Sequence, residues 1–272
     1  ANHFTIAPGR GAARVMGAVY IEDAIRPFVT GRFGDMLRAV VTHPGMLRYL
    51  NQDTSMGPKS HLGMRKKRGL NENLARELLE LHTLGVGAGY TQADVRQLAE
   101  LLTGLTYNEE AGFFFQQEIA EPGAELVLGK AYGNGTAQMR FILEALEDLA
   151  KHPATARRIA TKLATHFVAD DPDPDLVAAL EAAYVRSGGE LLALYETLLS
   201  HPAAWRPPGA KVRQPLDYIA ACWTAVGASG DELSALSTQE HNGRLWGPLN
   251  AMGQPFMEAP GPNGWPEEAT FW

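Results

Sequence analysis

Cysteine is nearly absent from this sequence: Cys222 stands alone, so the chain can form no internal disulfide and no multi-cysteine zinc or iron–sulfur site. The apolar setting YIAACWTAV predicts a buried, inert thiol there rather than a nucleophile. Long apolar runs are missing as well, and none approaches the roughly 18 uncharged residues of a membrane span. Positive charge is not in excess. A net charge of -7 and a pI near 5.6 argue against a broad nucleic-acid surface. The one basic run, Arg65, Lys66, Lys67 and Arg68, reads as a solvated loop. HExxH, a nucleotide-binding glycine loop and a Gly-x-Ser-x-Gly elbow are all lacking, which removes the commonest metalloprotease, nucleotide-dependent and serine-hydrolase readings. The chain begins at Ala1 without a methionine or a signal-like segment, as expected of a processed or trimmed product.

What is present is helical periodicity. With 45% hydrophobic residues over 272 positions the chain can build a sizeable core. ARVMGAVYIEDAIRPF, FGDMLRAVVTH, residues 71–84, TQADVRQLAELLTG, TAQMRFILEALEDLAKH, ATARRIATKLATHFV, DLVAALEAAYVRS, ELLALYETLLSH and PLDYIAACWTAVG all carry the helical spacing of apolar positions. The expected class is therefore mainly all-α, a multi-helix globular bundle over 1–272. Residues 105–135 break the pattern. FFFQQEI and ELVLG around Glu121-Pro122-Gly123 predict one small hairpin or extended excursion. The closing stretch 253–272 is rich in proline, glycine and tryptophan and too apolar for a free linker, so it should dock on the body. His43-Pro44, His152-Pro153 and His201-Pro202 mark helix junctions, with histidine expected at the negative end of one helix and proline opening the next. The acidic loop Ala169–Asp175 lacks the glycine turn and distal glutamate of an EF-hand, and Asp173 or Asp175 is placed to cap a helix instead. No metal ligand set and no cofactor is implied.

Residues 71–91, NENLARELLELHTLGVGAGYT, hold the densest polar chemistry. Asn71 can cap the helix and Gly85 can end it. At about 100° per residue, Leu74, Leu78 and Leu81 share a core arc, His82 falls near it, and Glu72, Arg76 and Glu80 form an i, i+4, i+8 ladder flanked by Asn73 and Glu77. The ladder is either a surface feature or the edge of a site. Glu77 and Glu80 are the acid–base candidates, since like-charge coupling in a partly buried pair raises one pKa. Both leave the same helix, so a partner group must come from elsewhere: Asp53, Glu118, His166 and Gln254 are conceivable. Asn71, Asn73 and Arg76 are expected in a buried organising network, with the GVGAGY turn returning Tyr90 to it.

GLNENLARELLELHTLGVGAGYTQADVRQLAELLTGLTY closely resembles the signature of the bacterial domain-of-unknown-function 1800 family. NHFTI, VTHPGMLRYLNQ, the EPG turn leading to LVLGKAY, HPATARRIATKLATHFVADDP, KVRQPLDYI and MGQPFMEAPGPNGWP resemble further family blocks in family order, and together they span nearly the whole chain. The resemblance implies an internal piece of a longer helix-rich protein, residence outside the cytoplasm (periplasmic or secreted), and an exported alkaline-phosphatase-like or sulfatase-like partner. It supplies no reaction. Ala120 stands where relatives often carry histidine before the EPG turn, so a histidine there is not needed here. Two function classes follow. One is a non-catalytic assembly or binding partner in which the same polar ladder packs against the closing segment, which carries Gln254 and Trp265, or against the exported neighbour; the other is a hydrolase of a glycan or related polymer using Glu77 or Glu80, with Arg76 and Asn73 orienting substrate.

Overall fold

The computed structural model describes residues 2–7, 13–66, 69–108, 110, 112–205 and 211–272. Lys67 and Arg68 of the basic run lie outside them; Arg65 and Lys66 are exposed at the end of a short helix. The chain is mainly helical. In order the helices are α1 (Ala13–Tyr20), α2 (Phe33–Thr42), α3 (Pro44–Tyr49), α4 (His61–Lys66), α5 (Asn73–Glu77), α6 (Gln92–Leu101), then α7 (Met139–Lys151), α8 (Pro153–Phe167), α9 (Pro174–Ser187) and α10 (Leu191–Ser200). Four more, α11 (Pro215–Ala225), α12 (Gly230–Ser234), α13 (Thr238–His241) and α14 (Gly247–Ala251), precede the irregular closing segment. One contiguous hydrophobic cluster runs from Phe4 to Ala203, with α8 against α9, α9 against α10, and α2 against α7. Among the described residues no helix is long and apolar enough to cross a membrane.

Local signals account for most boundaries. Thr91 and Asp94 make a reciprocal capping box on α6, Asp173 accepts from Asp175 N–H at 2.9 Å to cap α9, and Gly188 closes α9 in the left-handed region. The three His-Pro junctions differ from expectation in mechanism. His43, His152 and His201 each turn Nδ1 onto the backbone N–H two residues ahead, of Gly45 (3.0 Å), Ala154 (3.1 Å) and Ala203 (3.2 Å). They are neutral acceptors at the start of the next helix, not cations at the end of the last, because an acceptor Nδ1 must be unprotonated.

Residues 105–135 contain two successive antiparallel hairpins where one was expected: β1 (Leu105–Asn108) with β2 (Gly112–Phe115), and β3 (Ala124–Val127) with β4 (Lys130–Gly133). Leu128 and Gly129 both have positive φ, 50° and 78°, the signature of a tight two-residue hairpin turn. The Glu121-Pro122-Gly123 turn links the hairpins instead of closing one. Glu121 accepts there from Lys59 N–H at 2.8 Å, and α6 holds β3 through Gln97, which accepts from Leu126 N–H at 2.9 Å. Burial raises the Glu125 carboxyl to about 7, with Glu121 and Glu100 adding to the effect.

Cys222 is exposed, contrary to the apolar look of its surroundings. Helix α11 packs inward only through Pro215 and Ile219, so the rest of an apolar sequence is left toward solvent, including Tyr218.

Candidate functional site

Asn71 is tied on three sides. Its Oδ1 accepts from Asn73 N–H at 2.9 Å, and its Nδ2 donates to the carbonyls of Leu50 (3.1 Å) and Asn51 (2.9 Å). Arg76 donates to Glu72 (3.2 Å), Glu80 (3.4 Å) and Gln92 (2.9 Å), while Gln92 donates back to Glu72 at 2.8 Å. The turn after Gly85 returns Tyr90 to the neighbourhood of Glu80, where burial and then the Glu80 charge raise the phenol's pKa. The ladder is thus real and closed. It is not buried, however: side-chain exposure is 38% at Arg76, 32% at Glu72 and 26% at Glu80, and Asn73 is exposed. Water reaches the expected buried network, which places it among half-screened helix pairs. Burial first, and then the charge of Glu80, raise the Glu77 carboxyl above its ordinary value.

The helix does not run on regularly. Residues Leu78–His82 form a π-turn, wider than an α-turn, and this shifts the phase of the face. Leu79 is fully buried although a regular helix would turn it outward, and Leu81, expected in the core, is only partly buried. His82 is carried inward to 1% exposure, and its Nδ1 has no partner among the described residues. Burial, with Arg158 and Lys162 nearby, lowers its pKa to about 3. Its carbonyl accepts from His3 Nε2 at 3.0 Å, which makes Nε2 the protonated nitrogen of His3.

His3 leads to a second polar cluster, assembled from segments far apart in the chain. Asn2 donates to Trp265 carbonyl (2.9 Å) and Glu267 Oε1 (3.0 Å), and accepts from Trp265 N–H (2.7 Å). Gly264 permits this clasp, since with φ at +81° any Cβ would stand 2.3 Å from Asn2 Oδ1. Glu267 Oε2 meets His166 Nδ1 at 2.9 Å and accepts from Gln214 Nε2 at 2.9 Å. Gln254, 4% exposed, donates to Gln214 (3.0 Å) and accepts from Leu216 N–H (2.7 Å). Hydrogen bonding to Glu267 raises the His166 pKa despite burial. Burial pushes the Glu267 carboxyl up, but His166, Asn2 and Lys211 outweigh it and hold it below its usual range.

This cluster is a partition between two apolar cavities. One, of about 270 Å³, is walled by Ile6, Ile21, Leu249, Phe256 and Trp265 with Gln214 and Gln254 at its edge. The other, of about 300 Å³, is walled by Ile25, Phe33, Met36, Ile159 and Leu194 with Lys162 and Glu267. Asn2, Phe4 and His166 border both.

The expected site residues therefore divide. Asn71, Asn73, Arg76, Glu77, Glu80 and Tyr90 belong to the ladder and line neither cavity; Gln254, Trp265 and His166 meet at the partition; His82 stands behind His3. Of the other conceivable partners, Asp53 lies in the short turn Gln52–Thr54, and Glu118 lines a separate cavity with His61. Arg158 joins the two regions, donating to the Leu81 carbonyl at 3.0 Å. Asn2, Lys162, Gln214 and Glu267 were not legible as site residues. The one local signal is Lys162 and His166 at i, i+4 within an alanine-rich helix. Among the described residues no three His, Cys, Asp or Glu side chains converge to hold a metal ion.

A family model described as "Protein of unknown function (DUF1800)" matches residues 1–272, and the chain belongs to that family. No curated protein and no solved structure matches it.

Proposed function

We propose, with membership of this family as the premise, that the protein is a non-catalytic binding component of an exported system, holding an amphipathic small molecule beside the His166–Glu267 partition. The observation that carries this reading is the chemistry of the two cavities: aliphatic and aromatic walls, with the polar groups gathered at one shared border. The acid–base candidates have no such setting. Glu80 is paired with Arg76, and Glu77 leaves the same helix in a similar direction, whereas glycoside hydrolysis needs carboxyl groups on both sides of the scissile bond. The family resemblance supplies the remainder of the proposal, namely residence outside the cytoplasm and an exported alkaline-phosphatase-like or sulfatase-like partner.

One observation favours the hydrolase as a second reading. The raised pKa of Glu77 leaves it a better proton donor near neutrality than an ordinary glutamate. Titration with N-phenyl-1-naphthylamine, a neutral apolar fluorophore, separates the two: saturable uptake with energy transfer from tryptophan, Trp265 lining one cavity, is the expected result. Absence of uptake would overturn the binding reading, as would turnover of a glycan panel that Glu77→Gln abolishes. Fractionation of cells that make the natural protein tests export.

A further inference from the structure

Lys162 and His166 stand one turn apart on α8, and both line the cavity of about 300 Å³. Lys162 has no hydrogen-bond or ion-pair partner among the described residues, and Arg158 lies close enough to repel it. The single opposing charge is Glu267, whose carboxylate already serves His166 Nδ1, Asn2 and Gln214. That engagement also fixes the imidazole. With Nδ1 held against Glu267, Nε2 has no partner among the described residues and carries the ring's remaining N–H when His166 is protonated. Lys162 and His166, both partly buried, thus border a cavity walled by Ile25, Phe33, Leu191 and Leu194, where one anion can take a hydrogen bond from each when His166 is protonated.

We infer that this cavity is a receptor for an alkyl carboxylate, its two oxygens taken by Lys162 Nζ and His166 Nε2 and its chain lying along the aliphatic wall. The assignment rests on the binding reading above and adds the class of ligand. Two donors match the two oxygens of a carboxylate; a phosphate would bring a third terminal oxygen to face hydrocarbon with no donor. The aliphatic wall accepts an alkyl chain, for which octanoate is the probe.

The test displaces N-phenyl-1-naphthylamine with octanoate and with octan-1-ol, in the parent, Lys162→Met and Lys162→Arg. Because Lys162 has no partner to strand, Lys162→Met should melt no lower than the parent. The parent should bind octanoate about tenfold or more tightly than octanol, as a charge-assisted contact requires. Lys162→Met should lose that preference while keeping the dye and octanol, and Lys162→Arg should restore it. Equal affinity of the parent for octanoate and octanol would overturn the carboxylate assignment and leave the binding reading standing, as would octanoate preference surviving in Lys162→Met. Failure to take up the dye at all would overturn both. Should Lys162→Met not fold, the comparison of octanoate with octanol in the parent decides alone.

Discussion

Acidification should destabilise this fold through His82, and the effect can be sized from its surroundings. The imidazole is fully buried, faces the positive charges of Arg158 and Lys162, and titrates at about 3 in the folded chain, against about 6.5 when unfolded. The fold therefore favours the neutral ring. Its contribution is complete above the unfolded pKa and is lost as pH falls toward the folded one, at about 1.4 kcal/mol for each pH unit between them. From pH ~6.5 to ~4.5 that is about 3 kcal/mol, a large share of a typical 5–15 kcal/mol. Other groups add to the raw curve. His3 and His43 are also held below their ordinary values, chiefly by burial, and act in the same direction; His166, raised by Glu267, acts in the opposite one. The informative quantity is thus a difference: urea unfolding free energies of the parent and His82→Leu, measured near neutrality and again near pH ~4.5. The variant should lose about 3 kcal/mol less than the parent over that interval. Parallel curves would refute the argument, because they would mean that the buried ring finds a route to its proton that does not oppose folding.

Arg76→Ala should cost only about 1 kcal/mol in urea unfolding, two i, i+4 pairs at half-exposed positions together with the Gln92 bond; a loss above about 3 kcal/mol would show that the ladder is shielded after all. Glu125→Gln should stabilise the chain near pH ~8 by up to about 3 kcal/mol and converge with the parent near pH ~4.5, since a buried carboxyl raised to about 7 contributes below its unfolded pKa and loses that contribution as pH rises. A pH-independent offset would count against it. Gly63→Ala should lower stability by about 1–3 kcal/mol, because its Cβ would fall 2.1 Å from the Gly57 carbonyl oxygen and 2.7 Å from Ser60 Oγ, forcing α4 off the loop; an unchanged melting temperature would contradict that packing.

The helices were legible because their determinants are local. Asn71, Gly85, Thr91 with Asp94, and Asp173 each act within a few residues, and apolar spacing marks which faces go inward. The π-turn at Leu78–His82 was not, since a regular 3.6-residue wheel has no means of registering a wider turn; it misplaces Leu79 and Leu81 for that reason alone. The second hairpin was missed because Leu128 is a poor advertisement for a left-handed turn, leaving Gly129 as its only conventional signal. The partition was illegible for a different reason. Asn2 and Trp265 lie 263 positions apart and His166 and Glu267 lie 101 apart, so no window of sequence contains the pattern. Gln254 and Trp265 could be named from the apolar, turn-rich character of their segment, but nothing there specified what they would meet.

The two regions are mechanically one. His82, at the end of the π-turn, sets its carbonyl against His3, and this anchors the residues that lead to Asn2. Asn2 in turn clasps Trp265 and Glu267, and Glu267 orients His166 at the border of both cavities. Without the hydrogen bond from His3 to the His82 carbonyl the opening segment of the chain would lose that hold. Arg158 runs beside this path, bonded to the Leu81 carbonyl at one end and repelling Lys162 at the other. The proposed binding reading asks the polar density of residues 71–91 for positioning. Its ladder fixes the outer face of a helix whose irregular end holds His3 through the His82 carbonyl, and His3 lines the cavity of about 300 Å³; on the proposed binding reading, damage to the ladder therefore reaches the cavity as lost positioning.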